Sequence, residues 1–228
     1  MNNIAHSYSS LKTWRDCPRL HREKYVNKSV KDKGSPATQR GTRIHKNLEI
    51  SIKYNSENIG EGISTGPRTK DVLKFFRENY EKARRGDAPG SVVTEHKIAI
   101  NRDKEQVPFF DSNAWLRGVM DASWFTTPTW DKVFAVDWKT GQYRVDPLQA
   151  DVTHYLLKNA MKSSIIKFAF VFVEHDIIHD ATPEHDPGPS IEQMIADVET
   201  DLSKEAEPRP GWMCRYCPVT WCEFNGAS

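Results

Sequence analysis

The chain has 228 residues, of which 38% are hydrophobic, 28% charged and 11% aromatic, with a mean hydropathy of -0.67. That is enough for one sizeable α/β domain, or one domain with a small appendage, and the composition excludes a disordered chain. The 32 basic and 31 acidic residues leave a net charge of +1, which neither demands nor excludes a polyanionic partner, because such a partner needs only a local basic groove. No apolar run approaches the roughly 20 residues of a membrane span, and the opening MNNIAHSYSSLKTW lacks the apolar centre of a secretory signal. These features predict a cytoplasmic location, where structural disulfides are uncommon.

Ser9 to about Lys28 reads as helical, with Ser9 as cap, apolar positions at Leu11, Trp14, Leu20 and Tyr25, and a kink or split at Pro18. A polar turn over 31–36 leads to a second helix, about Ala37 to Lys53, with Ile44, Leu48 and Ile52 at spacing four. Residues 55–66, with three glycines, read as a loop, and a third helix runs from about Arg68 to Arg85. β character begins at Ser91–Ile100 and continues at Ala114–Thr126 and Lys132–Lys139, with a polar hairpin loop over 101–112. Asp146–Met161 reads as helix, Ile165–Glu174 as a buried strand with Ile177 and Ile178 extending a hairpin, and Ser190–Glu207 as an amphipathic helix ended by Pro208 and Pro210. The order predicts an α/β sheet flanked by helices, behind an α-helical front section.

Side chains alternate along a strand, so in Lys132-Val-Phe-Ala-Val-Asp137-Trp-Lys139-Thr-Gly141 the residues Phe134, Val136 and Trp138 share one face, and Asp137 and Lys139 emerge together on the other. Charged groups at the end of an apolar strand are costly unless partnered or functional. Asp121, in Leu116-Arg-Gly-Val-Met-Asp121-Ala, brings a second carboxylate from otherwise apolar strand sequence. Two strands that each deliver a carboxylate suit a hard cation such as Mg²⁺. Such a metal polarises a phosphate and activates water, and Lys139 could position that water or offset developing charge. His45, in Gly41-Thr-Arg-Ile-His45, could add an imidazole ligand. The plainer alternatives are a surface ion pair for Asp137 and Lys139, worth at most about 1 kcal/mol, and a capped or surface histidine.

Gly-x-x-x-His, Gly-x-x-Asp and Asp-x-Lys-Thr-Gly, in that order, resemble the RecB-like branch of the PD-(D/E)XK nuclease superfamily. The resemblance implies a PD-(D/E)XK (restriction-endonuclease-like) α/β core with a mixed central sheet. It implies a metal-dependent deoxyribonuclease, an exonuclease acting on single-stranded DNA or DNA ends with Mg²⁺ or Mn²⁺. The metal ligands it implies are His45, Asp121, Asp137 and the backbone carbonyl of Trp138, with Lys139, Asp137 and Asp121 catalytic. Glu95 fits the place of an additional family glutamate. The family's Gln-x-x-x-Tyr helix motif is not met at its usual spacing, since Gln149 and Tyr155 are six apart and Asp151 holds the position four before Tyr155.

The only cysteines are Cys17, Cys214, Cys217 and Cys222. Four thiols are the usual complement of a cubane iron–sulfur cluster or a structural zinc. One cysteine ahead of the nuclease motifs and three after them resembles the iron–sulfur-containing branch, similar to AddB-type nuclease domains and CRISPR-adaptation exonucleases. This implies a 4Fe–4S cluster, with Zn²⁺ as the alternative, and a cysteine-tied C-terminal tail. The expected organisation is one nuclease domain over 1–228, with a helical front at 1–90, a core at 91–207 and a tail at 208–228 joined to Cys17. Lys12 and Arg15, interleaved with Trp14 and Tyr25, and Arg40 and Arg43, which flank the His45 motif, are candidate DNA contacts, opposed by the reading of a solvated helix face. The resemblance also implies recombination, repair or CRISPR/phage DNA processing, with recombination or CRISPR proteins as partners. The rival is a non-catalytic, metal-stapled DNA-binding or interaction module.

Overall fold

The computed structural model describes residues 4–31, 34–60, 63–87 and 90–226. Asp32 and Lys33 of the expected turn, and Glu61 and Gly62 of the expected loop, lie outside them. Helix α1 (Tyr8–Asp16) is capped by Ser7 rather than Ser9. Ser7 Oγ accepts from Ser10 N at 3.2 Å and Ser10 Oγ accepts from Ser7 N at 2.8 Å, a reciprocal pair that Ser9 has no means to form. Pro18 divides the segment as expected: Cys17 is extended, and α2 (Pro18–His21) runs into a wide π turn over Arg22–Val26. Helix α3 (Pro36–Lys53) buries Ile44, Leu48 and Ile52, and α4 (Pro67–Arg85) buries Val72, Leu73 and Phe76.

The strands are β1 (Gly90–Ile100), β2 (Gln106–Val107), β3 (Leu116–Thr126), β4 (Lys132–Lys139), β5 (Ile165–Phe172) and β6 (Ile177–Asp180). Among the described residues they form one mixed six-stranded sheet in the order β2-β1-β3-β4-β5-β6. β4 and β5 are parallel, and the crossover between them is helix α5 (Pro147–Met161). Helix α6 (Gly188–Leu202) stops before the expected Glu207, and Arg22 Nη2 donates to its terminal carbonyls of Asp201 and Leu202 at 2.9 and 3.3 Å.

Two cores lie on opposite faces of the sheet. One holds Ile44, Leu48, Leu73 and Phe76 of α3 and α4 against Ala122, Val136, Trp138, Ala169 and Val171. The other holds Leu11, Leu156 and Ile195 of α1, α5 and α6 against Ile98, Met120, Ala135, Phe168 and Phe170. Strict alternation would put Met120 and Ala122 on one face, yet they belong to different cores. The same inversion separates Val92 from Ile98 on β1. Both strands therefore slip by one residue in the same row. That row contains Asp121 and, opposite it on β1, Glu95, which has a left-handed φ of 50°.

Candidate active site

The β3–β4 ladder ends at Ala122↔Val136. Asp121 and Asp137 are the next residues on each strand, so the two carboxylates flank the point where the strands part. Like charges in such neighbouring positions repel. Asp121, turned by the slip toward α3, places Oδ1 3.1 Å from His45 Nδ1. Its Oδ2 accepts from Trp138 N at 2.7 Å and so fills the opened ladder. Asp137, on the α5 face, accepts from Gln149 Nε2 at 2.6 Å through Oδ1. Lys139 Nζ donates to Gln149 Oε1 at 2.6 Å and lies 2.8 Å from Asp137 Oδ2. That second contact sets the Lys139 ammonium against Asp137 Oδ2, a buried oxygen. Phe170, the β5 neighbour of Asp137, puts its ring centroid 4.8 Å from Lys139 Nζ.

Burial pushes the Asp137 carboxyl above its ordinary value, the charge of Asp121 adds to this, and Lys139 and His45 oppose it. Burial works against the charged form of His45, but its hydrogen bond to Asp121 and the charges of Asp121, Asp137 and Glu95 hold its pKa above the usual value. Burial, then the charges of Asp121 and Glu49, raise Glu95. A pocket of about 730 Å³ opens on this side, lined by His45, Glu49, Glu95, Lys97, Val119 and Asp121 among others. Among the described residues no group of three or more His, Cys, Asp or Glu side chains is arranged as a ready metal cage. The donor chemistry nevertheless fits a hard divalent cation: two carboxylates at the fork with a third beside them, and an imidazole.

The flanking glycines have identifiable tasks. A Cβ on Gly41 would lie 3.1 Å from Thr140 Oγ1, so glycine lets α3 approach the end of β4. Gly141, at φ 82°, turns the chain there. Gly141 N donates to Glu174 Oε2 at 3.0 Å, Arg40 pairs with the same carboxylate, and Gly141 O lies 2.6 Å from His175 Nε2. Sequence reasoning passed over Glu174, which has no motif, and gave Gln149 little weight because its spacing to Tyr155 breaks the family pattern.

The other expected residues fall elsewhere. The Tyr155 hydroxyl donates to Glu192 on α6 at 2.7 Å, far from the Gln149 bridge. Arg15 pairs with Asp146, the cap of α5, at 2.9 Å, and Tyr8 donates to the same carboxylate at 3.0 Å. Lys12 stands 6.0 Å from the Tyr8 ring centroid, and Arg43 is exposed beside the His45 turn.

The four cysteines are free thiols that converge on one small cavity of about 20 Å³. Arg209 N donates to Cys17 Sγ at 3.5 Å and Gly211 N to Cys214 Sγ at 3.4 Å. Burial, opposed by a backbone hydrogen bond and reinforced by the other three sulfurs, pushes the Cys217 thiol up. Arg19 of α2 pairs with Glu223 at 3.0 Å, so the front helix and the tail meet here.

The family model of the PD-(D/E)XK nuclease superfamily matches residues 5–222. The chain belongs to that superfamily. A comparison with curated proteins gives no match. Among solved structures, one described as "Crystal structure of SSO0001" is similar at 16% identity, covering 99% of this chain and 89% of that one, with a TM-score of 0.43.

Arg40 first, then Gly141 N, hold the Glu174 carboxyl down to about 2, against the ordinary 4.5. The stability this lends is complete above pH 4.5 and is lost as pH falls toward 2. Glu174→Gln should flatten that part of the stability–pH curve, measured by urea denaturation between pH 5 and pH 2. An unchanged curve would remove the clamp from the account.

Proposed function

We propose that this chain is a metal-dependent deoxyribonuclease, acting as an exonuclease on single-stranded DNA or DNA ends. The observation that carries this is the fork itself, where Asp121 and Asp137 stand next to each other past the last ladder pair with Lys139 beside them. The ion would be Mg²⁺ or Mn²⁺, held by His45, Asp121, Asp137 and the carbonyl of Trp138. Support for that carbonyl comes from the strand geometry: N–H and C=O of one strand residue point to the same edge, and Trp138 N already reaches Asp121. When bound, the ion supplies polarisation of the scissile phosphodiester and a lowered pKa for the attacking water. Lys139 orients that water and offsets charge developing at phosphorus. Gln149 is a positioning residue, since one amide holds both Lys139 and Asp137. Glu95, brought opposite Asp121 by a strained backbone, adds a third carboxylate to the wall. Residues 1–228 would act as one nuclease unit, in recombination, repair or CRISPR/phage DNA processing, with proteins of those systems as partners.

With a labelled single strand and Mg²⁺, the wild-type chain should release short products, and Asp137→Ala and Lys139→Ala should abolish them. Gln149→Ala should lower the rate by about 10–100-fold, the usual loss when a group that orients a metal site is removed. Equal rates in all four proteins would refute the assignment.

The cysteines form a metal staple between α2 and the tail in this reading. The one-plus-three layout supports a 4Fe–4S cluster, and four thiols around one cavity would equally suit a single zinc ion. The cluster predicts a brown protein carrying four iron and four sulfide per chain, bleached by oxidant. A colourless protein with one zinc per chain selects the second reading, and neither metal in the purified chain overturns the staple.

A further inference from the structure

Past the fork, the α3-side face of β1 and β3 carries Lys97 opposite Val119 and Arg117 opposite Ala99. Val119 is 41% exposed in the middle of an 11-residue strand. Over this face folds the loop after β2, whose tip is Phe109–Phe110. The two rings meet edge to face, centroids 5.0 Å apart at 90°, and Phe110 is 78% exposed. Lys97 Nζ lies 5.9 Å from each ring centroid, and Arg117 Cζ lies 5.3 Å from Phe109 and 5.9 Å from Phe110. The loop is braced from within: Asp111 N donates to Pro108 O at 2.9 Å, Ala114 N to Asp111 O at 3.1 Å, and Asn113 N to Asp111 Oδ1 at 2.7 Å.

An exposed Phe110 held edge to face on a half-buried Phe109, beside the exposed Val119, presents apolar surface on a braced loop. The chemistry around the pair identifies the occupant. Aromatic faces interleaved with cations are what an unpaired nucleic-acid strand needs, because every base has a face to stack and every nucleotide a phosphate to neutralise. Lys97 also lines the 730 Å³ pocket that holds His45, Glu95 and Asp121, so this platform and the fork share a wall. Arg117 lies four steps along β3 from Asp121, roughly 13 Å at the rise of a strand.

We infer that Phe109, Phe110, Lys97 and Arg117 form a single-strand DNA subsite beside the fork. A base of the substrate strand stacks on Phe110, and its flanking phosphates sit on Lys97 and Arg117. The subsite rests on the nuclease reading for its place in the reaction, but its binding can be read without cleavage. Such a contact is indifferent to sequence and requires a base free of its complement, so it selects single strands or frayed ends.

The experiment is fluorescence anisotropy of the full chain with a labelled mixed-sequence single strand in EDTA. Phe110→Ala should weaken binding about ten- to a hundred-fold, the range for loss of one base–aromatic stack, and Phe110→Trp should restore it. Lys97→Ala and Arg117→Ala should each lower the slope of log affinity against log salt by about 0.7. Wild-type affinity in Phe110→Ala overturns the subsite, as does a loss confined to blunt duplex, or a wild-type chain that binds no single strand. A chain that binds through Phe110 yet cuts nothing keeps the subsite and refutes the nuclease reading. A chain that cuts while Phe110→Ala binds normally keeps the nuclease and refutes the subsite.

Discussion

Two carboxylates, both largely covered, occupy neighbouring positions where β3 and β4 part, and the charge of Asp121 helps raise the Asp137 carboxyl. Uncompensated charge in that position costs several kcal/mol. The surrounding structure is arranged to bear the cost. Asp121 is turned out of strict alternation so that His45 and the Trp138 amide can reach it. Asp137 stays on the opposite face and is met by Gln149 and Lys139. The slip lets one sheet row serve both faces, with α3 supplying one partner and α5 the other.

The scaffold follows from that demand. Helix α3 comes close to the end of β4, where a Cβ on Gly41 would crowd Thr140 Oγ1, and is secured there by the Arg40–Glu174 pair and the Gly141 amide. Helix α5 must start near Lys139 to present Gln149 from its first turn. Its start is fixed by the Asp146 cap, to which Tyr8 and Arg15 of α1 are also bound. The front helices are in turn held by α6 and the tail: Trp14 Nε1 donates to Asp201 at 2.9 Å, and Cys17 lies against the three tail cysteines. A metal at the thiols would thus act on the fork through α1 and Asp146, without touching it.

Much of this was legible in the sequence where periodicity is strong. The β4 alternation separates Trp138 from Asp137 and Lys139 correctly, and the spacing-four positions of α3 are the buried ones. What eluded the sequence was non-local. The slip at Asp121 leaves no pattern, since Met120 and Ala122 are both apolar and only the helix each meets reveals the inversion. Gln149 departs from a motif by spacing, yet the amide needs only to reach β4 and is indifferent to where Tyr155 lies. Phe109 and Phe110 sit in a stretch that composition reads as a polar loop, and the two cations that meet them come from strands on either side. Ser7 prevailed over Ser9 as cap because capping depends on the residue three places on.

The most direct measurement is calorimetric titration of Mn²⁺ into the full chain and into Asp121→Asn and Asp137→Asn, which keep shape while removing charge. The account predicts one saturable site in the wild-type chain, weakened about ten-fold or more by either substitution. Wild-type Mn²⁺ binding in both variants would contradict it, because the fork carboxylates would then have no part in holding the ion.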